Sequence, residues 1–203
     1  MAMDAMSTKV GGGKWEWFTP VMHALDPLRS KQMGRTLEVL SRQVPLGPST
    51  RVLDVACGTG TLLKALLPYG CEVTAIEPTS RMFRHVQRRF PEVRVFQEPA
   101  HAMASVPDKS QDVSIVSATM HGFSPEYRQQ VYRELKRVTR GAVAIVDYHR
   151  NRNPVVALLE LAEGGDYFRF VHVVDRELRE AFPSVTTTRC GDVESLYLCR
   201  VDA

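Results

Sequence analysis

Apolar residues along the chain fall into two alternating patterns. Over residues 29–44 they recur at Met33, Leu37, Leu40 and Val44, the spacing of one helical face. RVLDVA at 51–56 is instead a short, almost unbroken apolar run, as expected of a strand buried on both faces. The exchange then repeats. TLLKALLPY reads as a short helix ended by Gly70, CEVTAIE as a strand, and SRMFRHVQRRF as a helix with Met82, Phe83, Val86 and Phe90 facing inward. VRVF and DVSIVSA follow as strands. SPEYRQQVYRELKRV is a helix with Tyr127, Val131, Leu135 and Val138 about one turn apart, and GAVAIVDY is the fifth strand. Beyond residue 150 the pattern changes. PVVALLELAEGG and the shorter DRELREAF read as helices, and VTTTRC and SLYLCRV as strands joined by the turn GDVE. Apolar strands separated by helices predict an α/β three-layer sandwich. Its sheet is seven-stranded and mostly parallel, with a C-terminal antiparallel hairpin. There is no internal repeat and no linker, so one domain is expected.

Composition narrows the partners. The 203 residues are 44% hydrophobic and 24% charged, ordinary values for a soluble globular protein. The net charge of +3 comes from 26 basic and 23 acidic residues scattered along the chain, without the stripe or tail of a nucleic-acid or membrane-surface protein. No apolar stretch approaches the roughly 18–20 residues of a membrane span, so no membrane insertion is expected. MAMDAMSTKVGGG lacks the pattern of a secretory signal and reads as a flexible leader over 1–13, with the domain itself over 14–203. Cys57, Cys71, Cys190 and Cys199 form no C-x-x-C pair and no zinc spacing. Free thiols, a cytoplasmic location and no metal are the expectation.

The chemistry concentrates in Val52-Leu53-Asp54-Val55-Ala56-Cys57-Gly58-Thr59-Gly60-Thr61. A buried strand runs directly into Gly-x-Gly and then a helix. Such glycines let the backbone turn tightly and approach a ligand, and the start of the helix faces it. Glu77, at the end of the second strand, stands where an acid can hold both hydroxyls of a ribose. A phosphate-binding loop would need Gly-Lys-Ser/Thr, which is missing. A dinucleotide site would want a third glycine where Leu63 stands. Asp54, four residues before Gly58, has a carboxylate that could order the loop or meet the amino group of a bound amino acid. A ligand with an amino-acid end and a nucleoside end fits this set best.

VLDVACGTG resembles the first motif of class I S-adenosylmethionine-dependent methyltransferases, and Glu77 falls where their ribose-binding acid falls. PDKSQDVSIVSATMHGFS resembles the family's fourth-strand segment, and YRELKRVTRGAVAIVDY its next helix and fifth strand. The similarity covers roughly residues 50–150 and is greatest to the small-molecule branch that includes the ubiquinone and menaquinone biosynthesis enzymes. It implies a Rossmann-like fold, S-adenosyl-L-methionine as cofactor and a small organic methyl acceptor. It also implies a division into an N-terminal helical lid (14–48), a cofactor-binding core (49–150), and substrate-covering helices with the hairpin (151–203). The residues implied at the cofactor are Asp54, Ala56, Gly58, Thr59, Gly60, Glu77, Pro78, Ala100, His101 and Ser117. The family often places an Asp on adenine after the third strand, but here the stretch is Gln97-Glu98-Pro99-Ala100-His101-Ala102-Met103. A backbone N–H of Ala100 or His101, or the Glu98 side chain, would serve instead, with Met103 lining the pocket.

For catalysis, His121 follows the fourth strand at the carboxyl edge of the sheet and is the general-base candidate, set against a packing role. Tyr148 and His149 follow the fifth strand at the same edge. Trp15, Trp17 and Phe18 read equally as first-helix core or as a lid. His23, His101 and His172 read as structural or solvent-facing side chains, and Cys57 as a small filler. Arg81, Arg84, Arg88 and Arg89 read as a solvated helix face, with an RNA patch as the alternative. Glu163–Phe170 reads either as a mobile cover or as core. The rival functions are a nucleic-acid or protein methyltransferase, a non-catalytic cofactor-binding protein and an NAD-dependent oxidoreductase. SATMHGF lacks the Asn/Asp-Pro-Pro-Tyr/Phe tetrapeptide that holds a flipped amino base, so no nucleic-acid partner is expected. A homodimer stays open.

Overall fold

The computed structural model describes residues 29–151 and 153–202. The leader, Trp15, Trp17, Phe18 and His23 lie outside the described residues. A helix (α1) occupies 29–41 and buries Met33, Leu37 and Leu40, as its spacing predicts. Then come β1 (Arg51–Val55), α2 (Thr61–Leu66), β2 (Glu72–Ile76), α3 (Ser80–Arg89), β3 (Arg94–Phe96) and β4 (Gln111–Ser117). The chain continues with α4 (Pro125–Val138), β5 (Thr139–Tyr148), α5 (Pro154–Glu163), α6 (Tyr167–Ala181), β6 (Ser184–Arg189) and β7 (Glu194–Arg200).

The seven strands lie in the order β3-β2-β1-β4-β5-β7-β6. β1 pairs in parallel with β2 and β4, and β4 with β5, while β7 inserts antiparallel between β5 and β6. The mostly parallel Rossmann-like sheet with its antiparallel end is therefore present. Side chains alternate along each strand, and each face carries its own core. On one face α1, α2 and α3 pack on Val52, Ala75, Val113, Ile115 and Ala144. On the other, α4 and α6 pack on Leu53, Val55, Val143, Ile145 and Tyr197.

One element differs from the expected pattern. The last helix was expected over DRELREAF, yet α6 starts at Tyr167. Phe170, Val174 and Leu178 share its buried face, so part of the stretch read as a cover or core is core helix. Its first turn escapes a periodicity reading because Tyr167, Phe168 and Phe170 crowd the start with aromatics on more than one side, and Phe168 is exposed. Among the described residues, no helix is long and apolar enough to cross a membrane.

Candidate functional site

After β1 the chain turns through Ala56, Gly58 and Gly60, all at positive φ (59°, 56° and 81°). The two glycines serve different ends. A Cβ on Gly60 would lie 2.4 Å from the Phe90 ring, so Gly60 lets the loop seat against the end of α3. A Cβ on Gly58 would meet nothing within 4 Å, which leaves clear space above the loop. Ala118, just past β4, is also held at positive φ (48°). A left-handed backbone at a non-glycine residue costs about 1–3 kcal/mol, and such strain gathers at ligand-facing turns.

These turns border one cleft, with about 1000 Å³ of empty space, mouth included. Of the residues expected at the cofactor, Ala56, Gly58, Thr59, Glu77, Pro78, Ala100 and Ser117 line it. Asp54, Gly60 and His101 are not among the lining residues, although Asp54 is near enough to Glu77 and Cys57 to interact with both. Sequence reasoning missed Arg29, Thr79, Thr119, Phe123 and Tyr127, which also line the cleft. Their only signal was position, just beyond strand ends or at a helix start.

Asp54 is fully buried near the end of β1, and neither carboxylate oxygen has a hydrogen-bond partner among the described residues. Burial, with the nearby Glu77 charge second, holds its carboxyl well above the usual range. A buried carboxylate left unpaired is costly, so this position favours a donor or a cation beside it. Glu77 is anchored instead. Its two oxygens accept the N–H groups of Gly58 (2.9 Å) and Thr79 (2.8 Å), tying the end of β2 to the glycine loop. Burial raises its carboxyl and those hydrogen bonds partly offset the rise. Burial and the same two acids push the Cys57 thiol well up, which makes it an inert filler.

Beyond β3 the sequence options for the adenine contact narrow. Glu98 turns away, accepting from the Ser105 N–H (3.1 Å) and hydroxyl (2.6 Å). Met103 is fully buried, and its N–H donates to Glu134 (2.8 Å), away from the cleft lining. Ala100 does line the cleft, beside Tyr127, whose hydroxyl is hydrogen-bonded to His101 Nδ1 at 2.9 Å.

His121 and Tyr148 come together, but behind the cleft wall. Their rings meet edge-on with centroids 4.8 Å apart, and His121 is buried. His121 Nδ1 donates to Asp147 Oδ1 at 2.7 Å, and Nε2 lies 3.6 Å from Glu160 Oε2. Asp147 also accepts the N–H groups of Thr119 (3.2 Å), Met120 (2.8 Å) and His121 (3.3 Å), and so fixes the turn after β4. Burial and the acids Glu160 and Asp147 push the Tyr148 phenol far up, so it stays neutral. His149 hydrogen-bonds Ser195 (3.0 Å). Asp147 was not singled out in the sequence. Its signal was an acid inside the apolar run AVAIVDY, where a buried charge must be answered. Arg81, Arg84, Arg88 and Arg89 are exposed along α3. Among the described residues, no group of three or more His, Cys, Asp or Glu is placed to hold a metal ion.

Comparison with known proteins agrees with this geometry. Residues 52–141 match the family described as a methyltransferase domain. A ubiquinone biosynthesis O-methyltransferase of Xylella fastidiosa is 43% identical over 67 residues, which is 32% of this chain and 24% of that protein. The chain thus spans about a quarter of the length of the curated relatives it matches. A Methanococcus maripaludis protein assigned as an S-adenosyl-L-methionine-dependent methyltransferase shares the fold with a TM-score of 0.73. The match covers 95% of this chain and 96% of that one at 14% identity. An Aquifex aeolicus methyltransferase gives 0.61 at 21% identity, over 81% and 88% of the two chains. Residues 52–141 thus match a methyltransferase domain, and in motif order and sheet topology the chain resembles the class I S-adenosylmethionine-dependent methyltransferases, the ubiquinone enzymes among them.

Proposed function

We propose that this chain transfers a methyl group from S-adenosylmethionine to a small organic acceptor in the reducing cytoplasm. The observation that carries the reading is the buried, unpartnered carboxylate of Asp54 beneath the glycine loop, one strand away from Glu77. An orphan carboxylate suits an ammonium, and an acid at the end of the next strand suits a vicinal diol. A ligand with an amino-acid end and a ribose satisfies both. The residues that would hold it are Asp54 at the amino group, Glu77 at the ribose, and Ala56, Gly58, Thr59 and Ser117 around the chain between them. Pro78 and Ala100 would flank the base, with His101 behind it through Tyr127. Gly60 contributes by seating the loop.

When bound, the cofactor supplies a methyl group already activated as a sulfonium. The chain's own task is then alignment of the acceptor and exclusion of water. Phe123 and Tyr127, with rings 4.7 Å apart, give the cleft an aromatic wall suited to a planar or apolar acceptor. His121 and Tyr148 act in this reading by holding that wall, since Asp147 and Glu160 already engage their polar atoms. The covering part is assigned to 151–203. The O-methyltransferase relatives support a small-molecule acceptor, although that likeness extends over 67 residues only.

The test is calorimetric titration with S-adenosylmethionine, S-adenosylhomocysteine and NAD. Saturable binding of both sulfur nucleosides, lost in Glu77→Ala, is expected. Release of S-adenosylhomocysteine in a screen of phenols, amines, thiols and activated carbons then identifies the acceptor. Binding of NAD alone overturns the reading. Methylation of oligonucleotides in place of every small acceptor overturns its acceptor half.

A further inference from the structure

The cluster behind the cleft wall has a feature that methyl transfer does not explain. Both nitrogens of the His121 ring face carboxylates on different elements, Asp147 of β5 at 2.7 Å and Glu160 of α5 at 3.6 Å. A neutral imidazole has one N–H and one lone pair, and a lone pair aimed at a carboxylate is repelled. Only the imidazolium offers a proton to each side.

The surroundings make the same demand. Asp147 and Glu160 are almost fully buried, and Glu194 of β7 is half-buried, its carboxyl pushed up by burial and by Asp147. Against these three acids stand the cations His121 and Arg29 of α1, both of which draw the Glu194 carboxyl back down. Tyr148 of β5 is a neutral phenol hydrogen-bonded to Glu160, and α6 presents the Phe170 ring, 6.5 Å from that of His121, and the Tyr167 phenol, pushed up by burial and by Glu160. Without the His121 proton, these three carboxylates would face, among the described residues, the Arg29 guanidinium alone.

The geometry points to His121 as a protonation-dependent latch: as the imidazolium it clamps α5, through Glu160, onto the turn that walls the cleft. The clamp sits where the covering segment meets that turn. The Asp166 N–H donates to the His121 carbonyl at 3.0 Å, and a Cβ on Gly165 would lie 2.9 Å from Gly122 Cα. The same Met120–Gly122 turn is held from the sheet side by Asp147 and leads into Phe123 on the cleft lining. Loss of the proton leaves Nε2 as a lone pair facing Glu160. The pair then repels, and α5 loosens while Asp147 keeps the turn in place. His121 is thus a positioning residue, already protonated when the cleft is walled, and is not free to accept a proton from an acceptor.

The test reads the helix directly, in the full chain, without cofactor or acceptor. Hydrogen–deuterium exchange of the α5 amides, corrected for intrinsic rates, is followed between about pH 6 and about pH 9, either side of an ordinary imidazole titration. Protection of α5 is expected to fall about tenfold over that range while α4 stays protected; tenfold corresponds to a difference of about one pKa unit in the imidazole between the latched and loosened states. In Glu160→Gln, α5 should be loosely protected at both pH values, with no pH dependence. Nitrogen NMR of the wild-type His121 ring should show both nitrogens protonated at neutral pH. A single ring N–H at neutral pH overturns the latch, and so does α5 protection that ignores pH or keeps its pH dependence in Glu160→Gln. None of these outcomes depends on whether S-adenosylmethionine binds.

Discussion

In the proposed function, Asp54 joins stability and ligand affinity in one side chain. Its carboxyl is held well above the usual range, first by burial and then by Glu77. The unfolded chain therefore loses this proton at lower pH than the folded one. Stability from the protonated form is complete below the ordinary carboxylate range and is lost as pH rises through the raised folded value. Asp54→Asn removes that loss and should raise the neutral-pH Tm of the ligand-free protein by about 2–4 °C, roughly 1 kcal/mol at this chain length. Binding has the opposite sign. An ammonium pairs only with the ionised carboxylate, so binding S-adenosylhomocysteine expels the proton. Affinity should rise with pH by up to about tenfold per unit below the Asp54 titration. Titrations in two buffers of different ionisation heat would reveal the released proton, and Asp54→Asn should abolish both its release and the pH slope. Tighter binding at lower pH would remove Asp54 from the ammonium role.

Among elements, α4 carries the most exacting joint. Arg128 on this helix is 0% exposed, and its fork spans three segments. Nε and Nη2 donate to Glu177 of α6 at 2.8 Å each, and Nη1 donates to the Phe123 carbonyl (2.6 Å) and Asp166 (2.8 Å). Truncating a partner in such a network strands a buried charge, at a cost of about 3–5 kcal/mol. Arg128→Met should therefore lower Tm by about 6–20 °C. Adding Glu177→Gln should recover much of that loss, because the stranded charge goes with it. Denaturant unfolding of both variants checks this, and simple additivity of the two would refute a coupled pair. Sequence patterning could not reveal this joint. A helix period shows that position 128 neighbours the buried Tyr127 and Val131, but not that an acid 49 residues away answers it. Strands were legible because burial on both faces leaves apolar runs such as RVLDV and VSIVS. The start of α6 was not, since its first turn is spelled by Tyr167, Phe168 and Phe170, aromatics on more than one side.

Across the whole molecule, the sheet separates the cleft from a structural edge. The loops after β1, β2 and β4 meet at the cleft, whereas β7 and β6 lie two and three strands beyond β4. That far edge is built to stay single. β6 reads SVTTTR, mostly exposed and without a long apolar side chain, which discourages another strand from adding to it. The site was legible to the same depth as this division. Gly58 and Glu77, which line the cleft, and Asp54 near them could be singled out because they sit within or beside local strand-turn patterns. Tyr148 and His121 were placed at the correct edge, but the wall between them and the cleft arises from Asp147 and Glu160, whose partners are distant in sequence. A ligand bridging the β1, β2 and β4 ends should stabilise that region selectively. With S-adenosylhomocysteine at 100 times its Kd, linkage adds about 2.7 kcal/mol, or about 5–11 °C in Tm for a chain of this length. Amide exchange should slow at 56–60 and 117–123 beyond any change in β6 and β7, because only the former border the cleft. Equal slowing at the hairpin would mean that the ligand sits elsewhere, or that cleft and edge move as one unit and the division drawn from the sheet order is wrong.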